Sequence, residues 1–184
     1  MWKSLGMDLE THDQLCEVLP GMFGQVYLRQ ENRPEGMDYY NFVIAEIHGV
    51  RPAELIEHQK KGGKVFGTFC VYVPDEIVFA ADAIATGLCG GSQFWVPGGE
   101  KVLPANTCPL IKASVGARLD RTCPFFRIAD MYVGETTCDG KKKAWEILGE
   151  DVPTYVMQLP QMKREKDIQD WAYEIRLFME KVEE

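Results

Sequence analysis

Cysteine is the residue type through which this sequence is best equipped to do chemistry. Six occur in the 184 residues: Cys16, Cys70, Cys89, Cys108, Cys123 and Cys138. A thiolate can act as a nucleophile, a redox centre or a soft ligand for zinc and iron–sulfur clusters. No basic flank followed by an apolar leader opens the chain, so a cytoplasmic, reducing setting is expected and pairing as disulfides is not. That leaves buried small hydrophobes, reactive thiols or metal ligands. There is no C-x-x-C pair and no ferredoxin-type run, so spacing alone does not choose among these readings.

Local context favours ligation for four of the six. In Cys108-Pro109 and Cys123-Pro124 a proline follows the thiol directly, and proline is favoured in the first turn of a helix. A cysteine at that point faces free amides and the positive end of the helix dipole, which favour a thiolate and any anionic cluster. Cys138-Asp139-Gly140 offers the same arrangement. Cys70 closes an apolar run that reads as a strand. Cys89 precedes Gly90-Gly91, and a tight packed turn and a ligand fit it equally well. Cys16, among Leu15, Val18 and Leu19, reads as core. His12, His48 and His58 all fall in the first third of the chain, away from the cysteine-bearing segments. They read as surface or capping residues, which disfavours a mixed His/Cys zinc site.

The elements that must position these thiols follow from periodicity. Residues 1–61 read as a helical segment: an amphipathic stretch from Asp8 to Gln30 with a break expected at Pro20-Gly21, a second helix from Tyr39 to Ile47, and a third from Ala53 to Lys61. From residue 62 to 184 short apolar runs alternate with amphipathic ones, which predicts an α/β domain with a Rossmann-like open parallel sheet flanked by helices. Strands are expected at 64–70, 86–89, 129–134 and 153–159. Helices are expected at 74–85, 104–119 (capped by Asn106 or Thr107), 139–148 and 165–182, the last burying Ile168, Trp171, Ile175, Phe178 and Met179. Cys70 and Cys138 would then lie beyond strand carboxyl ends, where open sheets bind ligands.

Composition narrows the function classes. A net charge of −8 argues against a nucleic-acid partner, which needs a basic face. No apolar run approaches the length of a membrane span, so no membrane partner is expected. Neither a G-x-x-x-x-G-K-[ST] loop nor a G-x-G-x-x-G fingerprint occurs, so any nucleotide hydrolysis must come from another protein.

The same segments carry a resemblance. Gly67-Thr68-Phe69-Cys70, Pro74-Asp75-Glu76, Gly87-Leu88-Cys89-Gly90-Gly91, Leu103-Pro104-Ala105-Asn106-Thr107-Cys108-Pro109, Cys123-Pro124 and Val133-Gly134-Glu135-Thr136-Thr137-Cys138-Asp139-Gly140 together resemble the 2-hydroxyacyl-CoA dehydratase superfamily. Its double-cubane cluster protein branch, in the N-terminal half, is the nearest likeness. The resemblance implies two Rossmann-like domains with an oxygen-sensitive iron–sulfur site between them, fed low-potential electrons by an ATP-hydrolysing iron–sulfur activator. It also implies a C-terminal domain not contained in these residues, and a homodimer or heterodimer. Cys70, Cys108, Cys123 and Cys138 match motif cysteines and are the expected metal ligands, with Cys89 a further match. The double-cubane pattern places Cys70, Cys108 and Cys138 on the nearer cubane and Cys123 on the farther one.

Three functions are therefore expected to compete. The first is an anaerobic iron–sulfur reductase component that accepts electrons from the activator to reduce a small substrate. The second is a 2-hydroxyacyl-CoA dehydratase subunit with a four-iron cluster. The third is a cluster-free fragment that serves as a folding or docking module. No catalytic residue is assigned from sequence.

Overall fold

The computed structural model describes residues 1–88 and 90–184. Its centre is a four-stranded, all-parallel sheet in the order β2-β1-β3-β4, built from β1 (Val65–Thr68), β2 (Ile84–Gly87), β3 (Met131–Glu135) and β4 (Thr154–Met157). β1 and β3 are buried along their whole length, as parallel strands covered on both faces must be. Register is set by pairs such as Phe66 with Ala85, Thr68 with Val133, and Val133 with Tyr155.

Alternation along the strands divides the core in two. Val65 and Tyr132 join one buried cluster, while Phe66, Met131 and Val133 join the other, because neighbouring strand residues point to opposite faces. The second face is covered by α4 (Asp75–Ala80) and α9 (Glu165–Glu183), through Val78 and Phe178. The first carries α3 (Val50–Lys60), α6 (Pro109–Leu119), α7 (Pro124–Ile128) and α8 (Asp139–Leu148), packed through Leu55, Val115, Phe126 and Trp145. The stripe that α9 sets against the core is buried Phe178 with half-buried Trp171, Ile175 and Val182. Ile168 and Met179, expected to share it, are exposed, since they lie at the margins of a narrow contact on the sheet.

The helix expected over 74–85 ends at Ala80, and residues 84 and 85 belong to β2; one further helix start and one whole helix also differ from expectation, for identifiable reasons. The helix expected from Pro104 begins only at Pro109, with Cys108 as its cap. Residues 104–107 instead close a turn through Thr107 N to Pro104 O at 2.9 Å. A helix unforeseen from sequence, α5 (Val96–Glu100), contains Pro97-Gly98-Gly99, which reads as a turn. Gly99 allows backbone contact with α6: a Cβ there would lie 2.1 Å from the Lys112 carbonyl oxygen, whereas one on Gly98 would meet the Asp120 carboxylate.

Before the sheet, α1 (Leu9–Phe23) is capped by Asp8, whose Oδ1 accepts from Thr11 N. Pro20 lies inside this helix without ending it, and the irregularity comes later, as a π-helical turn at Gly24–Leu28. α2 (Met37–Ala45) leads through a turn into α3. The N-terminal segment is tied to the sheet-bearing part by Asp8 N to Arg121 O at 3.0 Å and Arg127 Nε to Leu5 O at 2.7 Å.

Candidate functional site

The chain runs from β1 through α4 to β2 on one side, then crosses back through α5, α6 and α7 to place β3 on the other side of β1. The strand order thus reverses between β1 and β3, and in open α/β sheets the crevice beyond the carboxyl ends at that point is where ligands bind. Cys70 lies just past β1 and Cys138 just past β3. Cys70 has φ of +76°, a left-handed conformation that disfavours a side chain by about 1–2 kcal/mol. Its neighbour holds it there: Phe69 donates its amide to Val133 O at 3.2 Å and sets its ring edge-on to Trp145 at 5.5 Å.

Cys108 and Cys138 cap α6 and α8. Their carbonyls accept from Lys112 N and Lys142 N, both at 3.1 Å, so each thiol sits at the amide-rich end of a helix of at least ten residues. The two starts are close together. A Cβ on Gly140 would lie 3.9 Å from Cys138 Sγ and 3.6 Å from Thr107 Cγ2. Buried Lys112 fixes the approach to Cys108, donating to Ala105 O at 2.7 Å and to Glu100 Oε1 at 2.6 Å.

Beneath the Cys138 turn, fully buried Glu135 pairs through Oε1 with Lys141 Nζ, and its Oε2 accepts from Thr137 N at 2.9 Å. The same ammonium stands 4.9 Å from the centre of the Phe69 ring. A cation thus lies between the segments that bear Cys70 and Cys138. All three thiols, Cys70, Cys108 and Cys138, are exposed. They do not draw together within 4.8 Å as a single-ion group. A sulfur-only donor set at helix starts and a strand end has the chemistry of an iron–sulfur ligand set.

Cys123 is placed differently. It caps α7 but is buried, and burial pushes its thiol up to about 11, against a smaller opposing pull from the Phe126 and Phe125 amides. It lines a cavity of about 1200 Å³ between the N-terminal helices and the loop after β2, with Leu15, Phe42, Leu88, Gly90 and Trp95 among its walls. Cys70, Cys108 and Cys138 do not line that cavity. Cys89 lies outside the described residues.

The histidines depart from the sequence reading. His12 is buried rather than exposed, and its Nε2 lies 3.2 Å from Nδ1 of half-buried His48. Cys16, read as core, is half-buried beside them, with Sγ 3.5 Å from His12 Nε2. Burial, then the neighbouring His12, lowers the His48 pKa to about 4. The group is not legible in the sequence because His48 comes from the turn between α2 and α3, 36 residues from His12. His58 is also not a surface cap: its ring lies against Gly63, and its Nε2 is buried with no hydrogen-bond partner among the described residues.

Among known proteins, the chain is 41% identical over 131 residues to "Putative dehydratase subunit YjiM" of Escherichia coli (strain K12), an alignment covering 71% of this chain and 34% of that protein. The chain therefore spans about a third of the length of the curated relative it matches. Residues 70–184 match the family described as 2-hydroxyglutaryl-CoA dehydratase, D-component, a match that starts at Cys70 and takes in Cys108, Cys123 and Cys138. The parallel sheet, the thiols at its switch point and this match over most of its length make the chain a member of the 2-hydroxyglutaryl-CoA dehydratase D-component family.

Proposed function

We propose that this chain is the thiolate-bearing part of an iron–sulfur dehydratase subunit acting on a 2-hydroxyacyl-CoA, with Cys70, Cys108 and Cys138 as cluster ligands. The observation that carries this reading is the placement of Cys70 and Cys138 beyond β1 and β3, on either side of the topological switch, with Cys108 beside Cys138. When bound, a four-iron cluster supplies one-electron reduction and, at an iron without a protein ligand, a Lewis-acid site.

The protein's own groups prepare the site. The first amides of α6 and α8 lie beside Cys108 and Cys138, where they suit an anionic cluster. The Lys141–Glu135 pair braces two of the sulfur-bearing segments and Lys112 fixes the third. Exposed Val71, Tyr72 and Leu110 next to the thiols fit a further domain that covers the site and excludes water. The electrons would come from an ATP-hydrolysing iron–sulfur activator, and the working assembly would be a dimer in the cytoplasm.

A second reading keeps the double-cubane reductase, with Cys123 on a second cubane. The dehydratase is preferred because Cys123 is buried against a separate cavity that Cys70, Cys108 and Cys138 do not line.

Anaerobic purification of the full-length protein, with iron and sulfide analysis and electron paramagnetic resonance after reduction, tests the proposal. It predicts roughly four irons per chain and turnover of a 2-hydroxyacyl-CoA only when activator and ATP are present. A protein without iron would refute it, and about twice that iron without dehydration would transfer the assignment to the double-cubane reading.

A further inference from the structure

His12 and Cys16 stand one helical turn apart on α1, and His48 reaches them from the turn before α3. Their donor atoms all lie within 4.8 Å of one another. A tetrahedral zinc ion with ordinary bond lengths sets two imidazole nitrogens about 3.4 Å apart and a nitrogen and a sulfur about 3.6 Å apart. His12 Nε2 and His48 Nδ1 stand 3.2 Å apart here, and Cys16 Sγ lies 3.5 Å from His12 Nε2, beside the ring.

The orientation of His12 fits as well. Its Nδ1 lies 3.2 Å from Asp13 Oδ1, so with the proton on Nδ1 the carboxylate accepts it and Nε2 is left as a lone pair directed at His48. A carboxylate behind a ligating imidazole is the usual outer partner of a metal-bound histidine. The ring is fixed further by Trp2, its centroid 5.2 Å away. Cys16 Sγ also lies 3.9 Å from His12 Nδ1, alongside the ring rather than in line with Nε2, so metal entry requires a rotation of the Cys16 side chain.

We propose that His12, Cys16 and His48 form a zinc-type site with three protein ligands and a fourth position open toward the apolar cavity. Cys16 and His48 both line that cavity, and three protein ligands with one open position is the pattern of zinc sites that bind an exchangeable ligand. The site is independent of the thiols at the sheet's carboxyl edge and lies outside residues 70–184, the stretch matched by the family. It does not rest on the dehydratase reading.

The test uses the full chain carrying Cys70→Ser, Cys108→Ser and Cys138→Ser, so that the exposed thiols do not compete, and cobalt(II) as a visible substitute for zinc. The proposal predicts uptake of about one equivalent, with thiolate-to-cobalt charge transfer, tetrahedral d–d bands, displacement by zinc and a rise in melting temperature. Cys16→Ser should abolish the charge-transfer band and His48→Ala the tight uptake, while Asp13→Asn weakens binding by about tenfold. His48→Cys should restore uptake with stronger charge transfer, which a merely misfolded variant would not do. Cobalt spectra and melting shifts that are unchanged in Cys16→Ser and His48→Ala, or no uptake by the parent chain, would overturn it.

Discussion

Lys141 Nζ forms an ion pair with Glu135 Oε1, a carboxylate with no exposed surface, directly under the turn that leads to Cys138. Removing one member of a buried pair strands the other charge, at a typical cost of about 3–5 kcal/mol. Lys141→Met should therefore lower stability by that order in urea unfolding. Glu135→Gln should also free the Thr137 amide from its charged acceptor and raise hydrogen exchange across residues 136–138. The double change Glu135→Leu with Lys141→Met should recover much of the stability, because no charge is then stranded. Additive losses in the double variant would contradict this account.

Cysteine alkylation should separate the thiols into two classes. Cys70, Cys108 and Cys138 are exposed, whereas Cys123 is buried, with its thiol pushed up to about 11. In the metal-free protein near pH 8, peptide mapping should find the first three modified quickly and Cys123 only on unfolding, since the thiolate is the reacting form. Equal rates at Cys123 and Cys108 would contradict the burial of Cys123.

Two glycine substitutions should act in opposite directions. A Cβ on Gly116 would fall 1.9 Å from the Trp95 carbonyl oxygen, a backbone atom that cannot step aside. Gly116→Ala should separate α5 from α6 and cost about 1–3 kcal/mol or more. Gly21, inside α1, has nothing within 4 Å of its Cβ position, so Gly21→Ala should stabilise by about 0.5–1 kcal/mol. Thermal melts of the two variants check both signs.

The start of α9 should be acid-sensitive. Asp167 accepts from the Arg164 guanidinium at 2.7 and 3.0 Å and from its amide at 2.9 Å. The Arg164 side chain, then its amide, hold the carboxyl down at about 2, against burial that pulls upward. Because the folded pKa is the lower one, this contribution is present in full above the ordinary value of 3.8 and is lost as pH falls toward about 2. Carbon-detected titration of Asp167 should show the low value, and Asp167→Asn should remove the corresponding acid-dependent loosening of α9.

Much of the sheet was legible in the sequence because parallel strands buried on both faces must be short apolar runs, as Val65–Thr68 and Met131–Glu135 are. Cys123-Pro124 and Cys138-Asp139-Gly140 marked the starts of α7 and α8 because proline and acidic residues suit a first turn, while the helical run expected from residue 104 hid the start of α6 at Pro109. α5 was not legible, since Gly99 serves contact between two helix backbones that only the folded chain brings together. His12 and Cys16 share a helix face in the sequence, but their meeting with His48 depends on how α2 and α3 fold back. The burial of Cys123 was equally hidden, because Cys123-Pro124 and Cys108-Pro109 look alike in sequence, and it is the surrounding helices that make one thiol interior and the other exposed.

The most direct measurement of the central claim is the iron content of the anaerobically purified full-length protein carrying, one at a time, Cys70→Ser, Cys108→Ser, Cys138→Ser and Cys123→Ala. Each of the first three should lose most of its iron and the paramagnetic signal of the reduced parent, while Cys123→Ala should keep both. Iron retained in Cys70→Ser and Cys138→Ser, or lost from Cys123→Ala as fully as from Cys108→Ser in a protein that remains folded, would contradict the assignment of the cluster to the switch point of the sheet.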